Sequence, residues 1–397
     1  PSVPVEPGTK PGENISGAGK IDLPLKERFL GKPTPSDIFV VKGTNGADDG
    51  FTRLVQMIEQ DGGGFYRSVE GDDGIVGSND VVIIKVNSQW DQRGGTNTDL
   101  AGSIVSSILN HPEGFTGEII IADNGQAQFG SSGNGGSLEW RNNNALNPSQ
   151  SMTDIAADYR DRAHVSAFLW DNITKSKVAE FSDEDDRDGY IVADERTAAT
   201  RIVLSYPKFT TIFGTKVSFA NGIWDPVAKT YDSERLVVIN VPVLKSHAIY
   251  GVTGAVKHYM GVVSDKLSGH TAHRSVGSGG MGTQIAQTRA PALNVIDAVW
   301  INPRPGNGPS ASYSIAAETN VIAASRDPVA LDTWASINIL IAAAEDLGYS
   351  RISRMDPRES SRSSFSKWLE LSAKELRKGG FPATTDLSLV NILVEEL

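Results

Sequence analysis

Asp80-Val-Val-Ile-Ile-Lys-Val86 is a run of mostly β-branched residues, which is typical of a strand that is buried on both faces. A helix capped by Asp99 follows, and then a second apolar run, Glu118-Ile-Ile-Ile-Ala-Asp123. On the N-terminal side, Asp37-Ile-Phe-Val-Val-Lys42 precedes a glycine turn and an amphipathic helix near Gly50 to Gln60. Strands that alternate with helices predict an α/β fold with a mainly parallel sheet flanked by helices.

From Asn124 onward this alternation is interrupted, and we interpret the interruption as an inserted subdomain. Its expected elements are a Gly/Ser/Asn-rich loop, a helix from Asp154 to about Glu180, an acidic loop, a helix-like Arg196 to Val203 and β-like segments up to Asp232. The α/β pattern resumes with the strand Arg235-Leu-Val-Val-Ile-Asn-Val-Pro242. The elements expected after it are a helix near Gly254 to Met260, strands Leu293 to Val299 and Asn320 to Ala324, and helices Asp327 to Gly348 and Ser364 to Arg377.

The predicted organisation has five parts. They are an extended N-terminal arm (1–36), the first part of the α/β core (37–123), the insertion (124–234), the second part of the core (235–348) and a C-terminal helical segment (349–397).

Composition excludes several classes of function. The chain has 37 basic and 48 acidic residues among 397, and its net charge of −11 would repel a phosphate backbone, so nucleic acid is not an expected partner. The longest apolar run, Ile337 to Ala344, is much shorter than the roughly 20 residues that span a bilayer, so no membrane span is expected. Because there is no cysteine, disulfides, thiol nucleophiles and cysteine-ligated iron–sulfur clusters are excluded.

The N-terminal arm begins with Pro1 and is rich in proline and glycine, which is typical of a linker or of a processed mature terminus. Together with the acidic composition and the many polar loops, it predicts an exported bacterial protein, in the periplasm or outside the cell. A trimmed cytoplasmic protein is the alternative. Such an arm also suits self-assembly.

Polar residues follow several of the predicted strands. Lys85, Asn87, Lys245, His247 and Asp297 lie at or just after strand ends, where ligands bind in open parallel sheets. Four of the six histidines fall between Val243 and Arg274. Each residue alone has a structural explanation, such as a solvated lysine or a carboxylate that caps a helix. Together they predict one cleft that also contains Lys257.

Three segments carry a resemblance to a known family. They are Ile84-Lys-Val-Asn87, then Asn240-Val-Pro-Val-Leu-Lys-Ser-His247 continuing through Lys257-His258 to Gly261 and His270, and finally Val295-Ile-Asp297 with Ala324 to Asp332. In these segments the chain resembles the bacterial family called domain of unknown function 362. The resemblance implies an α/β fold and no established chemistry. The family pattern commonly has Asn where this chain has His258, and the ferredoxin-like segments of some members cannot occur here without cysteine.

An acidic loop predicts a calcium site. Oxygen-bearing residues stand at positions one, three, five, seven and twelve of an EF-hand-like loop, namely Glu184, Asp186, Asp188, Tyr190 through its carbonyl, and Glu195. Gly189 occupies position six, where the loop turns sharply. The loop resembles a single EF-hand loop, but it has Glu rather than Asp at position one. A solvated acidic turn is the alternative.

These observations leave two hypotheses about function. In the first, the chain is an enzyme for a small carboxylate or phosphate substrate. The expected catalytic residues are His247, Lys245 and Lys257, and the expected substrate-binding residues are Lys85, Asn87 and Asp297. A variant adds a catalytic metal held by His247, His270 and a carboxylate.

In the second hypothesis, the chain is an exported, calcium-stabilised binding or assembly protein with a vestigial site. A closed pocket containing Lys245, His247 and Lys257 favours the enzyme, and a flat or filled surface favours assembly. No Walker motif, serine-hydrolase elbow or HExxH zinc motif is present to decide the matter.

Overall fold

The computed structural model describes residues 17–61, 63–69, 71, 73–126, 135–359 and 364–397. Within these residues the strands are β1 Gly19–Lys20, β2 Ile38–Lys42, β3 Tyr66–Arg67, β4 Val76–Gly77, β5 Val81–Lys85, β6 Glu118–Asp123, β7 His164–Leu169, β8 Gly189–Val192, β9 Ser205–Thr210, β10 Lys216–Ser218, β11 Gly222–Asp225, β12 Thr230–Asp232, β13 Leu236–Asn240, β14 Val243–His247, β15 Gly251–Thr253, β16 Leu293–Asn302, β17 Ala317–Ser325 and β18 Ile392–Glu396. The α-helices are α1 Gly50–Gln60, α2 Thr98–Leu109, α3 Met152–Tyr159, α4 Ala255–His258, α5 Thr271–Ser275, α6 Gly280–Gln287, α7 Pro328–Ala335, α8 Ala342–Asp346 and α9 Ser364–Lys378. A π-helical segment, Ser336–Ile341, joins α7 to α8.

The main sheet has the strand order β18-β2-β17-β16-β13-β5-β6-β7. In this row β17 is the strand that runs antiparallel to the others. Strand β1 pairs with β17, and the hairpin of β14 and β15 extends the row beside β16. The predicted α/β fold with a mainly parallel sheet is therefore confirmed.

Alternate side chains of the central strands pack into two separate apolar clusters. In β5, Val81 and Ile83 belong to one cluster, and Val82 and Ile84 belong to the other. Helices α1, α2 and α3 cover the second cluster, whereas α4 to α9 cover the first. The continuous apolar run that predicts β5 is explained, because both faces of this strand are covered by helices.

The predictions of two helices in the insertion are wrong. The helix expected from Asp154 to Glu180 ends at Tyr159, and His164–Leu169 instead forms the edge strand β7, paired in parallel with β6. The helix-like segment from Arg196 to Val203 contains no helix. Helical periodicity is a local signal, so it does not show that the edge of β6 needs a partner strand. Strand β7 supplies the hydrogen bonds that the backbone groups at this edge require.

The remainder of the insertion forms a second sheet. Strands β8 to β12 make an antiparallel five-stranded sheet in the order β12-β11-β10-β9-β8. Its buried side chains, including Phe209 and Val217, join the same apolar cluster as α7 and α9. This sheet therefore packs on one face of the main sheet. The five-part division of the chain stays a prediction.

Residues 1–16 of the N-terminal arm lie outside the described residues. From Gly17 onward the arm packs on the sheet of its own chain, where Ile21 and Leu23 are buried. The backbone N–H of Arg28 donates to the carbonyl of Ile392, the first residue of β18. Self-assembly through the arm stays a prediction. Among the described residues, no helix has the length and apolar composition that a membrane span requires.

Helix α4 is held in position by a buried carboxylate from α7. Asp332 accepts hydrogen bonds from the backbone N–H groups of Ala255 (2.5 Å) and Val256 (3.0 Å). A Cβ atom at Gly254 would lie 2.2 Å from Asp332 Oδ1. Glycine at this position is therefore required for the close approach of α4 to α7, and α4 carries Lys257.

We predict that Gly254→Ala destabilises the protein, because the added methyl group forces Asp332 away from the start of α4. Overpacking of this kind costs about 1–3 kcal/mol. Urea unfolding followed by circular dichroism measures the effect. The control is Gly277→Ala, since a Cβ at Gly277 has no heavy atom within 4 Å outside its chain neighbours. Equal stability of the two variants would contradict the prediction.

Candidate functional site

Two adjoining cavities lie at the carboxyl ends of β5, β6 and β14. The inner cavity has a volume of about 30 Å³ and is lined by Asn87, Gln89, Trp90, Asp123, Asn124, Gln126, Lys245, Thr253, Lys257, His258, Met260, Gly261, His273 and Pro309. The outer pocket has a volume of about 410 Å³ and is lined by Gln89, Trp90, His247, Ile249, Tyr250, Lys257, Asp265, His270, His273, Arg274 and Pro309. Lys257 and His273 line both, so they stand where the two spaces meet.

Lys85 lies beneath the inner cavity in a buried ion pair. Its Nζ is 2.8 Å from Asp123 Oδ1, and the other carboxylate oxygen accepts from the backbone N–H of Ser88 at 2.8 Å. Burial lowers the pKa of Lys85, and the negative charge of Asp123 only partly offsets this effect. A Cβ at Gly261 would lie 2.1 Å from Asp123 Oδ1, so glycine lets the chain pass close over the pair. Lys85 does not line either cavity, and its contacts are those of a structural ion pair.

Lys245 reaches the inner cavity from β14 and is completely buried. Its Nζ donates a hydrogen bond to the carbonyl of Gly94. Burial and the positive charge of Lys257 lower the pKa of Lys245 to about 7, against the attraction of Asp123 and Asp297. Near neutral pH this amine is therefore divided between its charged and neutral forms.

Lys257 is 7% exposed. In the part of the chain that the structure describes, no hydrogen bond or ion pair reaches its Nζ, which lies 5.5 Å from the ring centroid of Tyr250. Burial lowers the pKa of Lys257 to about 8. Nearby, Asn87 Oδ1 and Thr253 Oγ1 are buried and have no hydrogen-bond partner among the described residues. The inner cavity therefore combines an unneutralised cation with unused polar atoms, which is unusual for a protein interior.

His247 presents an N–H group to the outer pocket. Its Nδ1 accepts from the backbone N–H groups of Ile249 (3.1 Å) and Tyr250 (3.2 Å), so the ring proton belongs on Nε2. Burial, followed by the charges of Lys257 and Lys245, lowers the pKa of His247 far below its usual value. The ring is therefore a neutral hydrogen-bond donor. This tautomer does not suit a general base, although the sequence predicts His247 as a catalytic residue.

His273 has the opposite tautomer. Its Nδ1 lies 2.8 Å from Asp265 Oδ2, and the same oxygen lies 2.9 Å from Nδ1 of His270. Burial would raise the pKa of Asp265, but hydrogen bonds from the two histidines outweigh burial and lower it to about 2. An ionised carboxylate only accepts hydrogen bonds, so the neutral ring of His273 carries its proton on Nδ1 and has a lone pair on Nε2. His273 is therefore the better base.

Neither Asp265 nor His273 is among the site residues that the sequence predicts. A signal was present in Asp265-Lys-Leu-Ser-Gly-His270-Thr-Ala-His273, because one turn of helix brings residues 270 and 273 to the same side. Which of the local histidines meets a carboxylate depends on how the loop before α5 folds. His270 is half-exposed at the outer pocket.

Asp297 lies outside both cavities. Its Oδ2 accepts from the backbone N–H of Asn97 (2.8 Å) and from the side-chain amide of Asn144 (3.2 Å). Asn97 is the N-cap of α2, so Asp297 fastens this helix to β16. Burial raises the pKa of Asp297 to about 7. The structure thus brings Asn87, Lys245, His247 and Lys257 together around connected spaces, and it places Lys85 and Asp297 beside them as supports.

The acidic loop lacks the helices of an EF-hand. A 3₁₀ turn, Phe181–Asp183, precedes it, and strand β8 begins at Gly189 within it. Tyr190 is buried, with its hydroxyl bonded to Asn124. Asp186 pairs with Lys216 at 2.6 Å. The helix expected after the loop is wrong, because residues 196–203 are irregular.

Metal binding stays a prediction at both suggested places. Among the described residues, no group of three or more His, Asp or Glu side chains is arranged to hold a metal ion. Titration calorimetry with Ca²⁺ tests the acidic loop, and titration with Zn²⁺ tests His247 and His270.

Comparison with known protein families gives a match for one segment of the chain. Residues 226–336 match the family described as Domain of unknown function (DUF362). The matched segment contains Lys245, His247, Lys257, Asp265 and His273, whereas Lys85 and Asn87 precede it. The resemblance is confirmed over this segment, and the family description names no activity. The same comparisons gave no match to a curated protein or to a solved structure.

We predict that Lys257→Met makes the unliganded protein more stable at pH 7. Each pKa unit corresponds to about 1.4 kcal/mol, so burying the charged form of Lys257, whose pKa falls from 10.5 to about 8, costs up to about 3 kcal/mol. The unfolded chain holds this proton up to about pH 10.5. The cost is therefore complete below pH 8 and disappears as the pH rises to 10.5.

Urea unfolding at pH 7 and pH 10 measures this effect. The advantage of Lys257→Met over the wild type is expected to be larger at pH 7 than at pH 10. Lys266→Met is the control, because Lys266 is exposed and its charge is already solvated. A loss of stability in Lys257→Met at pH 7 would mean that the ammonium group has a stabilising partner.

Proposed function

We propose that the chain is an acid–base enzyme and that the two cavities bind a small anionic substrate, either a carboxylate or a phosphate. The observation that carries the proposal is the pair Lys245 and Lys257. Both are buried beside the inner cavity, and in the described part of the chain neither forms an ion pair with a carboxylate. A bound anion would neutralise them.

The energetic argument is that buried charge is costly. Two neighbouring ammonium groups in a protein interior destabilise the fold, and apolar residues of similar size would stabilise it. Positions that lower stability in this way are typical of functional sites. The chain as a whole is acidic, with a net charge of −11. Its composition therefore does not explain why a cavity should contain two buried lysines.

The roles proposed for the side chains follow from their hydrogen bonds. Lys245 and Lys257 hold the anionic group, and the Nε2–H of His247 donates to the ligand in the outer pocket. The rings of Trp90 and Tyr250 contact its carbon skeleton. His273, with Nδ1 bonded to Asp265, accepts a proton at Nε2 and returns it. The lysines stabilise the negative charge that develops on the substrate.

The volume of the outer pocket supports the enzyme hypothesis over an exported assembly protein with a vestigial site. A pocket of about 410 Å³ lies within the range of small-molecule sites. Export and calcium stabilisation are independent of this argument and stay predictions.

We predict that acetate or phosphate raises the melting temperature of the wild-type protein and binds with measurable heat. Losing one charge-assisted hydrogen bond costs about 1.5–3 kcal/mol, so Lys257→Met should weaken binding by about 10- to 100-fold. Lys266→Met should bind like the wild type. Calorimetry at constant ionic strength separates site binding from general screening. Equal binding by wild type and Lys257→Met would contradict the anion site.

We also predict that His273→Gln abolishes proton transfer while anion binding is retained. The assay is ¹H NMR in D₂O, which follows exchange of carbon-bound protons next to the carboxyl or carbonyl group of candidate substrates. His164→Gln is the matched control, since His164 is exposed and its ring stacks on Phe213 away from the site. If His273→Gln exchanges these protons at the wild-type rate, His273 is not the base. If wild type catalyses no exchange, the site only binds.

A further inference from the structure

Lys257 has features of a nucleophile as well as of an anion-binding residue. It lines both cavities, and nothing in the described part of the chain holds its Nζ by a hydrogen bond or ion pair. Its backbone is fixed, because Asp332 binds the N–H groups at the start of α4. The amine is therefore positioned at the junction of the two cavities.

Two neighbours supply what an amine nucleophile needs. Lys245 is close enough for the two positive charges to repel, and it offers a cation for the carboxylate of a substrate. His273 lines both cavities with a lone pair on Nε2, so it can transfer protons beside the amine. A desolvated lysine next to a second cation is a known arrangement for activating an amine toward a carbonyl group.

We infer that Lys257 forms an imine with a small 2-oxo carboxylate whose carboxylate group is bound by Lys245. The inference rests on the proposed function, because the same cavity must bind the anion. The small inner cavity accepts little more than a carboxylate, and the outer pocket accepts the remainder of the molecule. The carbonyl carbon, one bond away from the carboxylate, then lies at the junction with Lys257.

The step balances without an oxidant or a reductant. The lone pair of neutral Lys257 Nζ attacks the carbonyl carbon, and the carbonyl oxygen takes the π electrons and a proton from solvent water. His273 removes a proton from the nitrogen and returns it to the hydroxyl group, which departs as water. The nitrogen lone pair then completes the carbon–nitrogen double bond, and because the nitrogen keeps one proton the product is the iminium ion. The pKa of Lys257, lowered to about 8, supports a useful fraction of neutral amine.

Lys257 is a better nucleophile than the two other lysines nearby. Lys85 is paired with Asp123, and Lys245 is completely buried with its Nζ on the carbonyl of Gly94. Neither lines the outer pocket. The three lysines thus divide into a structural pair, an anion-binding cation and an accessible amine.

Trapping with borohydride tests the inference. The full chain is incubated separately with pyruvate, 2-oxoglutarate and phenylpyruvate, reduced with sodium borohydride, and analysed by intact mass and peptide mapping. A reduced adduct on Lys257 is expected with at least one of these compounds, and its yield should rise with pH through 8. Acetate, which has no ketone, gives the background. Lys266→Met should react like the wild type.

Lys257→Arg and Lys257→Met should both lose the adduct, and Lys257→Arg retains a cation for binding. Circular dichroism confirms that each variant is folded. Adducts that map to Lys245 or to exposed lysines, or no adduct above background with all three compounds, overturn the inference. If calorimetry still shows acetate binding that depends on Lys257, the proposed anion site survives that result. If no anion binds, the proposed function fails as well.

Discussion

Parallel pairing of β5 with β6 and β13 determines where the buried ion pair beside the site lies. The register sets Lys85 opposite Asn240 on one side and opposite Ala122 on the other, so Asp123 follows within reach of the Lys85 ammonium. Parallel strands end at one edge, and the loops that leave this edge enclose the cavities. The ion pair is thus a direct consequence of strand order.

Charge burial is the second constraint, and it separates support from function. Lys85 has a carboxylate partner, whereas Lys245 has a backbone carbonyl and Lys257 has an aromatic ring as its nearest described partner. Compensation of the buried charge by a partner therefore decreases toward the junction of the cavities. This decrease in compensation is hard to explain by stability alone, because a partner of opposite charge would restore the compensation. It is easier to explain by a ligand that brings the missing negative charge.

Hydrogen-bond partners decide what each histidine can do. Two backbone N–H groups leave His247 as a donor, and the carboxylate of Asp265 leaves His273 as an acceptor. In His258, Nδ1 contacts the side-chain oxygen of Asn240, and burial lowers the pKa of this ring well below its usual value. The same residue type therefore serves as hydrogen-bond donor, hydrogen-bond acceptor and structural link within one short stretch of chain.

The alternation of strands and helices, the strand-end positions of the polar residues and the local excess of lysine and histidine follow from the sequence alone, since they depend on local periodicity and composition. Tertiary structure decided the rest. The edge strand at residues 164–169 depends on the open edge of β6, and the supporting role of Asp297 depends on Asn97, 200 positions away. Whether a lysine is paired, and which ring nitrogen carries a proton, are properties of neighbours that folding brings together, so no local pattern encodes them.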